Sequence, residues 1–284
     1  MNVLMEAKEL MGKLNDPEVK VVDCRYLLGS PEHGSSMYKI GHIPGAVYFD
    51  LEKDLSRVPG KHGGRHPLPS MEEFAEKLGA CGIDRSKTVV AYDTGELAYA
   101  SRFYWMMKYA GHDEVYILQG GFQAWEEGGY PTSAEESVYP FVTYDLSIQD
   151  GLLTDYEAVK EFVDGQREFT LIDSRDSIRY EGIEEKIDHT AGHIPGAVNK
   201  VWHHSTRNGA FKSGDELKAL FRDMNKDQKV VVYCGSGVTA APNFIALKLA
   251  GFKDVSLYAG SFSDYISYSG NRVAGKEGEI KISL

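Results

Sequence analysis

Apolar residues along the chain fall into short, nearly continuous runs, and these alternate with segments of helical spacing. Val19–Asp23, Thr88–Tyr92 and Glu114–Leu118 are β-branched, apolar stretches bounded by polar residues, which predicts buried strands. Ser70-x-x-Glu73 forms a capping box, and Met71, Phe74, Ala75 and Leu78 follow on one helical face. Leu97–Ala110 is long enough for a helix and stops at Gly111. The second half follows suit. Thr154-x-x-Glu157 starts a helix, Thr170–Asp173 is a strand, and Ser213-x-x-Glu216 caps a helix with Leu217, Leu220, Phe221 and Met224 inward. Lys229–Tyr233, Thr239–Ala250 and Asp254–Tyr258 read as strand, helix and strand. Strands that are apolar throughout, set between helices, predict an α/β fold with a mostly parallel sheet flanked by helices.

The pattern occurs twice. Residues 41–47 read GHIPGAV and so do residues 192–198. VVDCR at 21–25 corresponds to LIDSR at 171–175, and VVAYD at 89–93 to VVVYC at 230–234. AGHDEVYILQGGF at 110–122 corresponds to AGFKDVSLYAGSF at 250–262. The same order of elements in each half means two homologous domains, expected over 1–138 and 152–284. The stretch 139–151 shows no clear period and is expected to link them. Because GHIPGAV is present in both copies, it reads as scaffold. Pro-Gly suits the centre of a type II turn, with His42 and His193 tying that turn.

Composition narrows the function. The 284 residues carry a formal net charge of −11, which disfavours nucleic acid and anionic membrane surfaces as partners. Any bound anion must therefore be held by local groups. Three cysteines, Cys24, Cys81 and Cys234, make no disulfide framework and suit a reducing compartment. The first residues lack a basic region followed by an apolar run, and no apolar stretch approaches the ~20 residues of a membrane span, so a cytoplasmic protein is expected. His62-Gly-Gly-Arg-His66 and His203-His204 have no Cys or acidic partner at metal-ligand spacing. They read as surface loops, and neither a metal nor a cofactor is expected.

The halves disagree where it matters. The first copy ends its strand at Asp93, the second at Cys234, followed by Gly235-Ser236-Gly237-Val238-Thr239-Ala240. In open α/β sheets, ligands bind at the carboxyl ends of strands. Two glycines let the loop after Cys234 curl its backbone N–H groups into an anion nest, and a helix from Thr239 adds the positive end of its dipole. Both effects favour a thiolate, hence a nucleophile at Cys234. Cys24, replaced by Ser174 in the other copy, and Cys81, just beyond a helix, read as structural.

These motifs, in this order and over nearly the whole chain, resemble the tandem rhodanese-like sulfurtransferases. The resemblance implies an N-terminal scaffold domain and a C-terminal domain carrying the cysteine. It implies a sulfane sulfur passed from a small donor to Cys234 as a persulfide, then to cyanide or a thiol. Backbone N–H groups from Gly235 to Ala240, including Gly237, Val238 and Thr239, would hold the persulfide charge, and Ser236 would bond the donor or aid proton transfer. Cys-Gly-Ser-Gly-Val-Thr looks like the 3-mercaptopyruvate-preferring branch. Thiosulfate-preferring members carry basic residues there, and the same mechanism on thiosulfate, or a persulfide relay to a protein, is the alternative. In the mercaptopyruvate branch two arginines hold the substrate carboxylate; Arg179 matches the first, and Lys186, or else His189, stands where the second is expected. The resemblance also implies a proton relay at His42 with an acid, for which Glu32 is nearest, and a thioredoxin-like reducing partner. A phosphatase branch shares this fold, but its loop ends in arginine and this one reads Ala240-Ala241-Pro242.

Overall fold

The structure is a computed structural model that describes residues 3–283. Its elements run β1 (Leu4–Met5), α1 (Ala7–Lys13), β2 (Val19–Asp23), α2 (His33–Ile40), β3 (Ala46–Tyr48), α3 (Met71–Ala80), β4 (Thr88–Tyr92), α4 (Ala98–Tyr109), β5 (Val115–Leu118) and α5 (Gly121–Glu127). The second half runs α6 (Tyr156–Val163), β6 (Thr170–Asp173), α7 (Ser177–Tyr180), β7 (Val198–Asn199), the two-residue strands β8 (Thr206–Arg207) and β9 (Ala210–Phe211), α8 (Gly214–Leu220), β10 (Val230–Tyr233), α9 (Ala240–Leu249), β11 (Val255–Leu257), α10 (Ser261–Tyr265), β12 (Arg272–Gly275) and β13 (Gly278–Lys281).

The chain forms two compact units. The first gathers the chain up to Arg57, Pro69–Gln149 and Asn208–Ala210; the second gathers Val58–Leu68, Asp150–Arg207 and the chain from Phe211 onward. In the first unit the strands lie in the order β1-β5-β4-β2-β3, all parallel. In the second they lie β11-β10-β6-β7, again all parallel, and Leu153 bridges Leu257 where β1 meets β5 in the first copy. Residues of β10 are buried without exception, as an apolar strand covered on both faces must be. Val21, Val90, Leu118 and Trp125 belong to the first core; Leu171, Val231, Tyr258 and Phe262 belong to the second.

Each copy fixes the carboxyl end of its sheet in the same way. Arg25 forks onto Asp23 and donates Nη2 to Gly41 O at 2.7 Å; Arg175 forks onto Asp173 and donates to Gly192 O at 2.7 Å. These buried, bidentate pairs tie the strand end to the GHIPGAV turn, and each guanidinium stacks 4.0 Å over a ring, Phe122 or Phe262. The turns are of type II: Gly45 and Gly196 both take φ +81°, and Ala46 N and Ala197 N close back onto Ile43 O and Ile194 O.

The capping boxes at Ser70 and Ser213 form as their sequences predict. At the start of α6 the cap falls one residue later. Asp155 caps, accepting from Ala158 N at 2.9 Å, while Thr154 extends the sheet edge through Leu257 O and pairs its hydroxyl with Ser256. Asp is at least as good a cap as Thr, and it leaves Thr154 free for the edge. Of the stretch 139–151 expected as a linker, residues 139–149 lie along the first unit. Tyr139 donates to Gly45 O, and Val142, Ser147 and Gln149 donate to Gly79, Ala110 and Tyr109 carbonyls. Its lack of period reflects hydrogen bonding to the carbonyls at the ends of α3 and α4 and in the GHIPGAV turn instead of within a strand or helix of its own.

In the first unit the loop after β4 closes on its own carboxylate. Buried Asp93 accepts from Gly95 N and Leu97 N at 3.0 Å and from Tyr99 N and Ala100 N at 3.1 Å. Burial raises the Asp93 pKa, and those four N–H groups oppose the rise. Asp93→Asn would turn an amide N–H₂ toward two of these donors. We expect a loss of about 1–3 kcal/mol, the usual result of unsatisfied buried groups, read as a lowered Tm; an unchanged Tm would contradict this account.

Candidate active site

Cys234 leaves the end of β10 and is 1% exposed. Its Sγ accepts a hydrogen bond from Gly237 N at 3.2 Å, so the loop curls back over the sulfur. The curl needs Gly237: φ is +79°, and a Cβ there would stand 2.2 Å from Ala259 O. Val238 and Ala240 are buried, and Thr239 precedes α9 without a side-chain cap bond. The base of the loop is braced from α10. Cys234 N donates to Ser261 Oγ at 3.1 Å, and Cys234 O and Gly235 O accept from Phe262 N and Ser263 N. Ser261 sits at φ +58°, a strained choice for a residue with a Cβ. Gly121 takes φ +59° at the matching place in the first unit. The hydroxyl that reaches Cys234 is what the serine adds.

Residues 58–68 complete this site, although they precede the second repeat in sequence. His66 Nδ1 pairs with Ser236 Oγ at 2.8 Å, and both residues are buried. The segment is held by Gly63 N to Asp264 Oδ1 at 2.6 Å, Arg65 N to Ser263 Oγ at 3.1 Å and a stack of His62 on Tyr268 at 3.9 Å. Arg65 forms an ion pair with Asp188, whose other oxygen accepts from Arg179 Nη2 at 3.0 Å. Arg179, on α7, also forks onto Glu185 at 2.9 and 3.0 Å. Both guanidiniums crowd Gly235: a Cβ there would lie 2.8 Å from Arg65 Nη2 and 3.5 Å from Arg179 Nη2. Burial lowers the Arg65 pKa, and the Cys234 charge pushes it back up. One thiol at a nest, one Ser–His pair and two cations therefore share a small, mostly buried space. Such a set can present a sulfur nucleophile, hold an anionic reactant beside it and move a proton.

Comparison with known proteins identifies the family. The rhodanese-like domain family matches residues 6–128 and again 155–268. The chain belongs to the rhodanese-like family. A probable 3-mercaptopyruvate sulfurtransferase of Pseudomonas aeruginosa is 40% identical over 272 residues, 93% of this chain and 95% of that protein. The thiosulfate sulfurtransferase of Cricetulus griseus is 34% identical, covering 88% of this chain and 85% of its own. The crystal structure of SseA from Escherichia coli, titled for 3-mercaptopyruvate sulfotransferases, superposes with a TM-score of 0.83 at 31% identity, over 93% of this chain and 100% of that one.

In this rhodanese-like chain the structure brings Cys234, Ser236, the 235–240 loop and Arg179 together. Lys186 lies apart from them, its side chain 79% exposed and paired with Glu184. The cause is Glu185, which turns inward between Arg175 and Arg179 and accepts from Ile187 N and Asp188 N, so that its neighbours turn out. His189 bonds Thr190 at the surface. The second cation beside Cys234 is Arg65. The segment His62–His66 is thus no simple surface loop, since His66 is buried on Ser236; only the fold brings position 66 to position 236, and no local spacing signals it. His42 directs its two ring nitrogens at Tyr38 O and Glu135 O, while Glu32 is exposed beside Ser35 and Lys53, so the two form no relay. All three cysteines are free. Burial pushes the Cys24 thiol well up, with Asp23 adding to it, and pushes Cys81 up against the pull of Lys77, which leaves both poor nucleophiles. Among the described residues no cluster of His, Cys, Asp or Glu could hold a metal ion.

The two loop glycines separate stability from activity. Gly237→Ala puts a Cβ on a backbone carbonyl at positive φ and should cost about 1–3 kcal/mol in stability, read as a fall in Tm. Gly235→Ala meets only the side-chain ends of Arg65 and Arg179, not backbone, so Tm should hold while kcat/KM for a sulfur donor drops. Equal effects on Tm would refute the distinction.

Proposed function

We propose that the chain is a sulfurtransferase that takes a sulfane sulfur from a small anionic donor, 3-mercaptopyruvate above all, onto Cys234 and passes it to cyanide or a thiol. The observation that supports it most is the placement of the Cys234 sulfur: under the Gly237 N–H, beside the Ser236–His66 pair and next to Arg65 and Arg179. Relatives named for 3-mercaptopyruvate and for thiosulfate transfer, aligned over most of the chain, support the same reaction class.

The step runs as follows. The Cys234 thiolate attacks the thiol sulfur of the donor. The carbon–sulfur bond breaks, its electron pair leaves on the carbon as the enolate of pyruvate, and that carbon takes up the proton the donor thiol gives up. Ser236, held by His66, stands where this proton passes. The persulfide charge is met by the loop N–H groups and the positive end of α9. An acceptor thiol or cyanide then attacks the outer sulfur, the S–S bond breaks, and the Cys234 thiolate returns. Arg65 and Arg179 hold the donor carboxylate, with Arg65 in the place the sequence suggested for Lys186.

Thiosulfate is the second reading, since a 34% identical relative bears that name. The loop itself, Gly-Ser-Gly-Val-Thr, offers no cation for a dianionic sulfonate, which favours the first. A thioredoxin-like dithiol suits the acceptor chemistry. No helix among the described residues is long and apolar enough to cross a membrane, and a thiol that cycles through a persulfide suits a reducing compartment such as the cytoplasm.

Incubating the reduced protein with cyanide and either donor should yield thiocyanate, with the larger kcat/KM for 3-mercaptopyruvate. Donor alone should add the mass of one sulfur to Cys234, and Cys234→Ser should abolish both signals. No thiocyanate from either donor would sink the proposal. Sulfur that loads but moves only to a protein thiol would replace it with a relay.

A further inference from the structure

Six charged side chains, three of each sign, form one chain of ion pairs that reaches the loop after Cys234. Arg65, Arg175 and Arg179 are the cations; Asp173, Glu185 and Asp188 are the anions, each within ion-pair distance of at least one of them. Asp173 belongs to Arg175 at the strand end. Glu185 spans Arg175 and Arg179 and is pinned by two backbone N–H groups, so it anchors Arg179 by itself. Asp188 differs. Its side chain is 3% exposed, and its two oxygens divide between Arg65 and Arg179, the two guanidiniums that crowd Gly235. It subtracts one charge from the two cations beside the loop that follows Cys234.

We propose that Asp188 is a specificity-determining residue: by holding the Arg65–Arg179 pair at a reduced net charge, it makes the pocket select monoanionic over dianionic sulfur donors. The inference rests on the sulfurtransferase reading above. A dianionic donor brings one more negative charge to the space beside Cys234 than a monoanionic one, and Asp188 lowers by one the positive charge that Arg65 and Arg179 can set against it. Because the side chains of Asp188 and Glu185 are buried and that of Arg179 largely so, one unit of charge a few ångströms away is weakly screened there. This differs from a purely structural role, in which losing Asp188 would loosen both guanidiniums and slow every donor alike.

The test is the ratio of kcat/KM for thiosulfate to that for 3-mercaptopyruvate, with cyanide as acceptor, in wild type, Asp188→Asn, Asp188→Glu and Arg65→Gln. Asp188→Asn keeps an acceptor and removes the charge; the ratio should rise on the order of tenfold. Asp188→Glu keeps the charge and should leave the ratio within about twofold of wild type. Arg65→Gln removes a cation, and the ratio should fall on the order of tenfold, the opposite sign. An unchanged ratio in the two charge-removing variants, or a shift of the same sign in both, overturns the proposal. If Asp188→Asn does not fold by circular dichroism, Arg65→Gln decides alone: a falling ratio supports the proposal, and an unchanged or rising one overturns it. A wild type that forms no thiocyanate from either donor would instead refute the sulfurtransferase reading.

Discussion

A parallel strand that ends and turns into a helix presents several backbone N–H groups at one point, and something negative must meet them. This demand organises both halves of the chain. In the first unit Asp93 meets it from within, taking four N–H groups on two oxygens. The loop is thereby filled, and the half becomes scaffold. In the second unit a cysteine takes the same position and accepts one bond, from Gly237 N. One residue at the strand end therefore decides how many of these N–H groups the strand end itself takes up.

A filled or open nest still needs a rigid frame. The Asp-x-Arg pairs supply it in both copies, locking the strand end to the GHIPGAV turn through Gly41 O or Gly192 O. The second copy adds a further brace. Ser261 accepts strain at φ +58° to place a hydroxyl on Cys234 N, and it donates in turn to Tyr258 O at 2.9 Å. Local strain at this position, held by the packing of α10, is the kind of feature that marks a site where geometry matters more than stability.

The parallel α/β architecture, the repeat, the capping boxes and the asymmetry of Asp93 against Cys234 were all legible in the sequence, because each depends on residues close together in the chain. The cap at Asp155 and the short α5, α7 and α10 were not, since four to seven residues give too little period to read. The pocket walls were harder still. His66 meets Ser236 across 170 residues and Arg65 meets Asp188 across 123, and no local pattern encodes such contacts. Lys186 drew attention by its position in the chain, yet the side chain that turns inward there is Glu185, which two arginines and two backbone N–H groups claim.

These walls also resolve a tension in the composition. A net charge of −11 repels anions at long range, but that field is screened within about 10 Å at ordinary salt. Inside the pocket the opposite problem arises. Two guanidiniums beside a thiolate would attract any anion strongly, and specificity would be lost to indiscriminate binding. Placing carboxylates behind the arginines keeps their directional N–H groups while trimming their charge. The selectivity of such a site then comes from how much charge remains, not from how many cations line it, and that remainder is set by residues that never touch the reacting sulfur.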